Sequence, residues 1–166
     1  HFLRFARQKP PEIRPIGVRV VLEAALQEWR ALGRGRSDII EKVHVAPDMP
    51  DLMVDPEQIK EALVNLLINA RDAMPQGGTL TVSARADAAG GAPATVEIRL
   101  VATGPGISPD HLKQIFDPFF TTKDYGTGLG LTNAKRLVED NGGQLAIHST
   151  EGQGTEVVLR LPALAR

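Results

Sequence analysis

The chain has 166 residues, 42% hydrophobic and 23% charged, the length and apolar content of one globular domain with a core of ordinary size. Its 19 basic and 20 acidic side chains give a net charge of −1, which argues against strong global attraction to nucleic acid or an acidic membrane surface. Cysteine is absent, so disulfide scaffolds, thiolate metal sites and cysteine nucleophiles are excluded.

The opening HFLRFARQ has no apolar run or small-residue cleavage site of a secretory signal. The longest apolar stretch, ALVNLLINA, falls well short of the roughly 20 residues that span a bilayer. A cytoplasmic domain without membrane contact is expected, with any membrane anchor of the parent protein placed elsewhere. Residues 1–36 hold eight basic and three acidic side chains, net +5, leaving 11 and 17, net −6, for the remainder. A nucleic-acid arm has that asymmetry, but arginines facing solvent or an upstream partner account for it more simply, and no nucleic-acid partner is expected.

Helix-like HFLRFAR runs into KPPEIRP, whose three prolines force extended backbone and mark a linker. Apolar residues at 18, 21, 22, 25, 26, 29 and 32 then give the three-to-four spacing of an amphipathic helix, ended by GRGRS. KVHVA and DLMVD are short β-like runs around a proline-containing turn. At Asp55-Pro-Glu-Gln an N-cap acid, a proline at the first helical position and a glutamine at the third start a helix that runs to about Met74. TLTVSARA and TVEIRLVA alternate as a hairpin around DAAGGAP. A short helix near Asp110 to Phe116, a helix from about Leu131 to Asp140 ended by Asn-Gly-Gly, and the strands QLAIHST and GTEVVLRLP complete the order. This order predicts an α/β (α+β) two-layer sandwich, a mixed and largely antiparallel sheet with helices on one face.

Chemistry first shows on the helix from Asp55. At about 100° per residue, Glu61, Asn69 and Asp72 fall within roughly 40° of Asn65, opposite Ile59, Leu63, Leu66, Leu67, Ala70 and Met74. A solvated face explains the separation, yet two asparagines one turn apart are poor helix formers. Each offers a neutral carbonyl oxygen to a hard cation or a polar substrate. Gly104-Pro-Gly106 leaves a strand ending at Ala102, as a plain turn or as a place where a ligand approaches the backbone. Gly126-Thr-Gly128-Leu-Gly130 precedes a helix, an arrangement that suits an anion. It is neither a Rossmann fingerprint nor a P-loop. Between them, Phe116, Phe119 and Phe120 of IFDPFFTTK are candidate core residues or anchors of a mobile lid.

NLLINARDAM, TGPGI, FDPFFTTK, GTGLGL and GQGT, in this order, resemble the catalytic and ATP-binding domain of bacterial sensor histidine kinases, with the wording FDPFFTTK most similar to the nitrogen-regulation type. The resemblance covers roughly residues 16–162 and implies the Bergerat sandwich. It implies ATP and Mg²⁺ as ligands, with Asn69 as the Mg²⁺ ligand and Asn65 lining the same site. Gly104 and Gly106 would shape the adenine pocket, Gly126, Gly128, Gly130 and the adjoining Leu131 would hold the lid and approach the phosphates, and Thr155 would sit near the adenine. Many relatives have lysine where this chain has Asp72, so Lys123 would serve as phosphate partner. Residues 1–15 would end an upstream dimerisation and phosphoacceptor domain, with residues 16–166 the catalytic domain. Its partners would be that domain and a response regulator. None of His1, His44, His111 and His148 heads the family's phosphoacceptor pattern, so the substrate histidine is expected outside this chain.

In the family pattern Asp-x-Gly-x-Gly the aspartate accepts the adenine amino proton, and this chain has Ala102 at that position. The resemblance thus implies a kinase with weakened nucleotide capture, or a non-catalytic interaction module. Gyrase and chaperone ATPases of the same fold carry a general-base glutamate where this chain has Asn65, which cannot take a proton from water. Hydrolysis is disfavoured.

Overall fold

A computed structural model describes residues 9–33, 38–87, 94–105 and 129–164. Three helices, α1 (Val18–Leu32), α2 (Pro56–Asp72) and α3 (Leu129–Asp140), alternate with strands β1 (Arg14–Ile16), β2 (Ile39–Val45), β3 (Leu52–Val54), β4 (Gly78–Asp87), β5 (Thr95–Ala102), β6 (Gln144–Thr150) and β7 (Gly154–Pro162). The main sheet has the order β2-β4-β5-β7-β6. Only β2 joins its neighbour in parallel, and the other pairings are antiparallel. This is the mixed sandwich that the element order predicts.

Local chemistry sets the helix ends. The Asp55 carboxylate accepts from the backbone N–H of Glu57 at 3.0 Å and Gln58 at 3.2 Å, and Pro56 occupies the first turn, where no donor is needed. On α1 the apolar stripe Val18, Val21, Leu22, Ala25, Leu26 and Trp29 is buried. Asn141-Gly142-Gly143 ends α3, with the Gly143 N–H returning to Val138 O at 2.9 Å. Leu80, Val82, Ile98, Leu100, Leu159 and Leu161 of the sheet pack against the stripes of the helices in one continuous core.

Two elements differ from the sequence pattern. KVHVA lengthens to Ile39–Val45 and enters the main sheet, whereas the run DLMVD supplies β3, which pairs antiparallel with β1 inside the proline-rich stretch. The partners of these short runs are distant in sequence, so alternation alone could not assign them. Arg71, within the box NARDAM, caps the first helix: its Nη2 donates to Trp29 O at 2.7 Å and its guanidinium lies 4.3 Å from the Trp29 ring centroid.

The face of the sheet away from the helices carries an ionic network. Glu97, 1% exposed, pairs with Arg85 at 2.8 Å and Arg99 at 2.7 Å, and Arg99 reaches Glu156 at 2.9 Å. Burial pushes the Glu97 carboxyl upward, but the hydrogen bond from Arg85 and the charges of Arg99 and Arg85 outweigh it and hold the group below its ordinary value. A depressed carboxyl stabilises the fold fully above the unfolded glutamate pKa of about 4.3 and loses that contribution as pH falls through the folded value. Glu97→Gln should therefore cost about 1–2 kcal/mol near neutrality, toward the low side because both arginines are partly exposed to water. Denaturant titrations should show the deficit shrinking below about pH 4. An equal deficit at pH 7 and pH 3 would assign the loss to packing.

Candidate functional site

A narrow cleft opens between the helices and the sheet. The last two turns of α2 and its C-cap supply Leu66, Asn69, Ala70 and Ala73, β5 supplies Leu100 and Ala102, α3 supplies Leu131, and β6 and β7 supply Ile147, Thr155 and Val157. Among the described lining residues, Asn69 and Thr155 alone carry polar side chains. The chemistry of this lining suits a flat apolar body with polar contacts at few points.

Asn69 is oriented by its own helix. Its Nδ2 donates to the Asn65 carbonyl at 3.0 Å, so the side-chain oxygen remains as the acceptor. A Cβ added at Gly130, in the first turn of α3, would lie 3.4 Å from Asn69 Nδ2. The amide thus sits where the apolar cleft meets the first described turn of α3, and a helix N-terminus favours an anion. No group of three or more His, Asp or Glu side chains that could hold a metal occurs among the described residues. A neutral amide oxygen beside an anion site suits Mg²⁺, which takes one or two protein ligands and completes its shell with substrate phosphates and water.

At the other end of the cleft, Thr155 Oγ1 lies 3.0 Å from Ser149 Oγ, and Ser149 Oγ donates to Gly154 O at 3.0 Å. Ala102 is 4% exposed at the end of β5 and pairs with Leu80 and Thr155 in the ladders. The turns around it demand glycine. Gly104 has φ +134° and a Cβ there would come within 2.6 Å of Ala73 O, while at Gly154, φ +125°, it would meet Ala102 O at 2.4 Å. The Gly152 N–H also donates to Pro105 O at 2.6 Å, joining the two turns.

The model of the histidine kinase-, DNA gyrase B- and HSP90-like ATPases matches residues 54–165, which takes in every described wall of the cleft. The chain belongs to this family. It is 40% identical over 114 residues to the sensor histidine kinase ZraS of Escherichia coli K12, covering 69% of this chain and 23% of ZraS. The mycobacterial sensor histidine kinase MprB superposes with a TM-score of 0.76 at 28% identity, over 93% of this chain and 99% of that one. Full-length ShkA, solved in complex with AMPPNP, gives 0.76 at 27% identity, over 100% of this chain and 35% of that one. The chain spans less than half the length of the curated relatives compared with it. It is a catalytic ATPase domain of the histidine-kinase kind.

Within this catalytic domain, Asn69, Ala102, Leu131 and Thr155 meet in the cleft, with Gly104 and Gly130 at its edges. Asn65 diverges. It lines a groove between α1 and α2 with Glu28, Leu32, Glu61 and Ile68, and its backbone carbonyl orients Asn69. Gly106, Lys123, Gly126, Gly128, the three phenylalanines, His1, His111 and the short helix at 110–116 lie outside the described residues. His44 and His148 stand on strands β2 and β6. Sequence reading missed the cleft walls Leu66, Ala70, Ala73, Leu100, Ile147 and Val157, because a lining residue and a core residue carry the same apolar periodicity. Among the described residues no helix is long and apolar enough to cross a membrane.

Proposed function

We propose that this domain binds Mg²⁺ and ATP in the cleft and transfers the γ-phosphoryl group to a histidine on a separate dimerisation and phosphoacceptor domain, in two-component signalling of the nitrogen-regulation type. The observation that carries the reading is the Asn69 amide, whose Nδ2 donates to Asn65 O and lies against Gly130 of α3, which leaves its oxygen as a free acceptor on a residue that lines the apolar cleft. The apolar walls would hold the base, with Thr155 near it, and Gly104 and Gly106 would shape that end. Gly126, Gly128 and Gly130, with Lys123 as cation, would face the phosphates. Bound Mg²⁺ supplies neutralisation of the phosphate charge. The imidazole nitrogen of the acceptor attacks the γ-phosphorus, the bond to the bridging oxygen breaks, and ADP departs with that electron pair. Asn65 offers no base to activate water, so hydrolysis does not compete.

Residues 1–15 are assigned to the end of the upstream domain and the linker, and a response regulator is the downstream phosphoryl acceptor. Localisation in the cytoplasm follows from this role, whatever anchors the parent protein. The domain's nucleotide affinity is set low by Ala102, and the absence of any carboxylate among the described cleft walls favours a second reading, a module that engages partners without catalysis.

Labelled ATP with Mg²⁺ and a separately supplied histidine-bearing dimerisation domain tests the proposal. Acid-labile phosphate should appear on the added domain and on none of the four histidines of this chain. ATP binding without transfer to any such domain would favour the non-catalytic module, and steady phosphate release by the chain alone would favour the ATPase reading.

A further inference from the structure

We infer that the segment Lys9–Glu12 is a docked strap coupled to both helices of the cleft, with Asp55, Gln58 and Asn141 as positioning residues that make nucleotide affinity depend on it. The inference rests on the nucleotide reading above and adds a control of the same site.

The hydrogen bonds form a closed ring. The Glu12 N–H donates to Asp55 Oδ2 at 2.9 Å, and Gln58 Nε2 donates to Lys9 O at 3.1 Å. The Asp55 N–H donates to Asn141 Oδ1 at 2.7 Å, and Asn141 Nδ2 donates to Gln58 Oε1 at 2.9 Å and to Leu137 O at 2.8 Å. Asn141 is 3% exposed, so a partner lost from this amide is not readily replaced by water. Helix capping alone needs only the other oxygen of Asp55, which takes the Glu57 and Gln58 amides. The bonds to Lys9 and Glu12 are additional and join residues 43 and 49 positions apart.

The ring lies where the start of α2 meets the end of α3. The cleft lies toward their opposite ends, where Asn69 meets Gly130, and Gln58 is about 16 Å from Asn69 along the helix axis at 1.5 Å per residue. Midway, Asn133 Nδ2 donates to Glu61 Oε2 at 2.7 Å. The two helices are thus joined at one end by a knot that includes the strap, with the ligand site at the other. A shift of the strap changes how α3 seats on α2, and hence the position of Gly130 against Asn69. Linkage requires the converse, that nucleotide binding tightens the strap.

Glu12→Pro removes the N–H and leaves both helices untouched, at a position already preceded by two prolines. Two measurements on the full chain decide the matter: hydrogen exchange of a peptide covering residues 9–16, and ATP affinity with Mg²⁺. The variant should exchange faster in that peptide and bind ATP roughly 3- to 10-fold more weakly, a modest coupling because one bond of the ring is lost. Glu12→Ala, which keeps the N–H, should match the unaltered chain. Added to Gln58→Ala, Glu12→Pro should have less effect than alone, since the two break one ring. In the unaltered chain, ATP should slow exchange of the same peptide. Unchanged exchange in Glu12→Pro would overturn the docking, and faster exchange with unchanged ATP affinity would overturn the coupling. No ATP binding by the unaltered chain would overturn the nucleotide reading and the coupling with it, while the exchange result would still report on the strap.

Discussion

Ala102→Asp is expected to tighten ATP binding by about one to two orders of magnitude. A hydrogen bond to a charged acceptor contributes about 1.5–3 kcal/mol, and each 1.4 kcal/mol is tenfold in affinity. Ala102 lines the cleft at 4% exposure, so a carboxylate placed there would reach a base seated among Leu100, Ala73 and Val157. A water held at the same spot in the unaltered chain would soften the gain. The neighbourhood is apolar, and the added charge without ligand is buried beside few partners, which costs more stability than the roughly 1–3 kcal/mol of an unsatisfied neutral group. The melting temperature of Ala102→Asp should fall in the absence of ATP and recover at saturating ATP. Selectivity for ATP over GTP should rise in the variant, because phosphate and Mg²⁺ contacts do not read the base. Calorimetric titration of both nucleotides into both forms measures this. Equal ATP affinity with and without the aspartate would withdraw the assignment of position 102 to the base.

Asn69→Ala should abolish the Mg²⁺ enhancement of nucleotide binding. The Asn69 oxygen is left as an acceptor by the bond from its own Nδ2 to Asn65 O. Mg²⁺ held by phosphates and one or two protein oxygens loses its principal anchor when that oxygen is removed. ATP measured with excess Mg²⁺ should then bind the variant no better than ATP measured with chelator. Asn69 is partly exposed and its amide bond is local to one turn of α2, so the fold should lose little. The comparison of metal with chelator separates the ligand role from any general loosening, which would weaken both measurements alike. Persistence of the enhancement in Asn69→Ala would reassign the metal ligand.

Features whose causes are local were legible in the residues. Asp55-Pro56 starts a helix because a carboxylate caps the free amides and proline needs no donor, and Asn141-Gly142-Gly143 ends one because glycine accepts the left-handed backbone. Alternation set β4, β5, β6 and β7, and the order of the glycine and asparagine boxes carried the resemblance to the histidine-kinase ATPase domain, which the family match and the relatives bear out. Long-range packing set the rest. Asn65 and Asn69 lie within roughly 40° on a helical wheel, yet with α3 packed on one side of α2 and α1 on the other, Asn69 lines the cleft and Asn65 a separate groove. Arg71 belongs to the same box but spans to Trp29, a distance of 42 positions in sequence. Asn141 and Gln58 meet 83 positions apart. Periodicity describes which way a residue faces from its own axis; which neighbour it meets there depends on long-range packing, which no local pattern encodes.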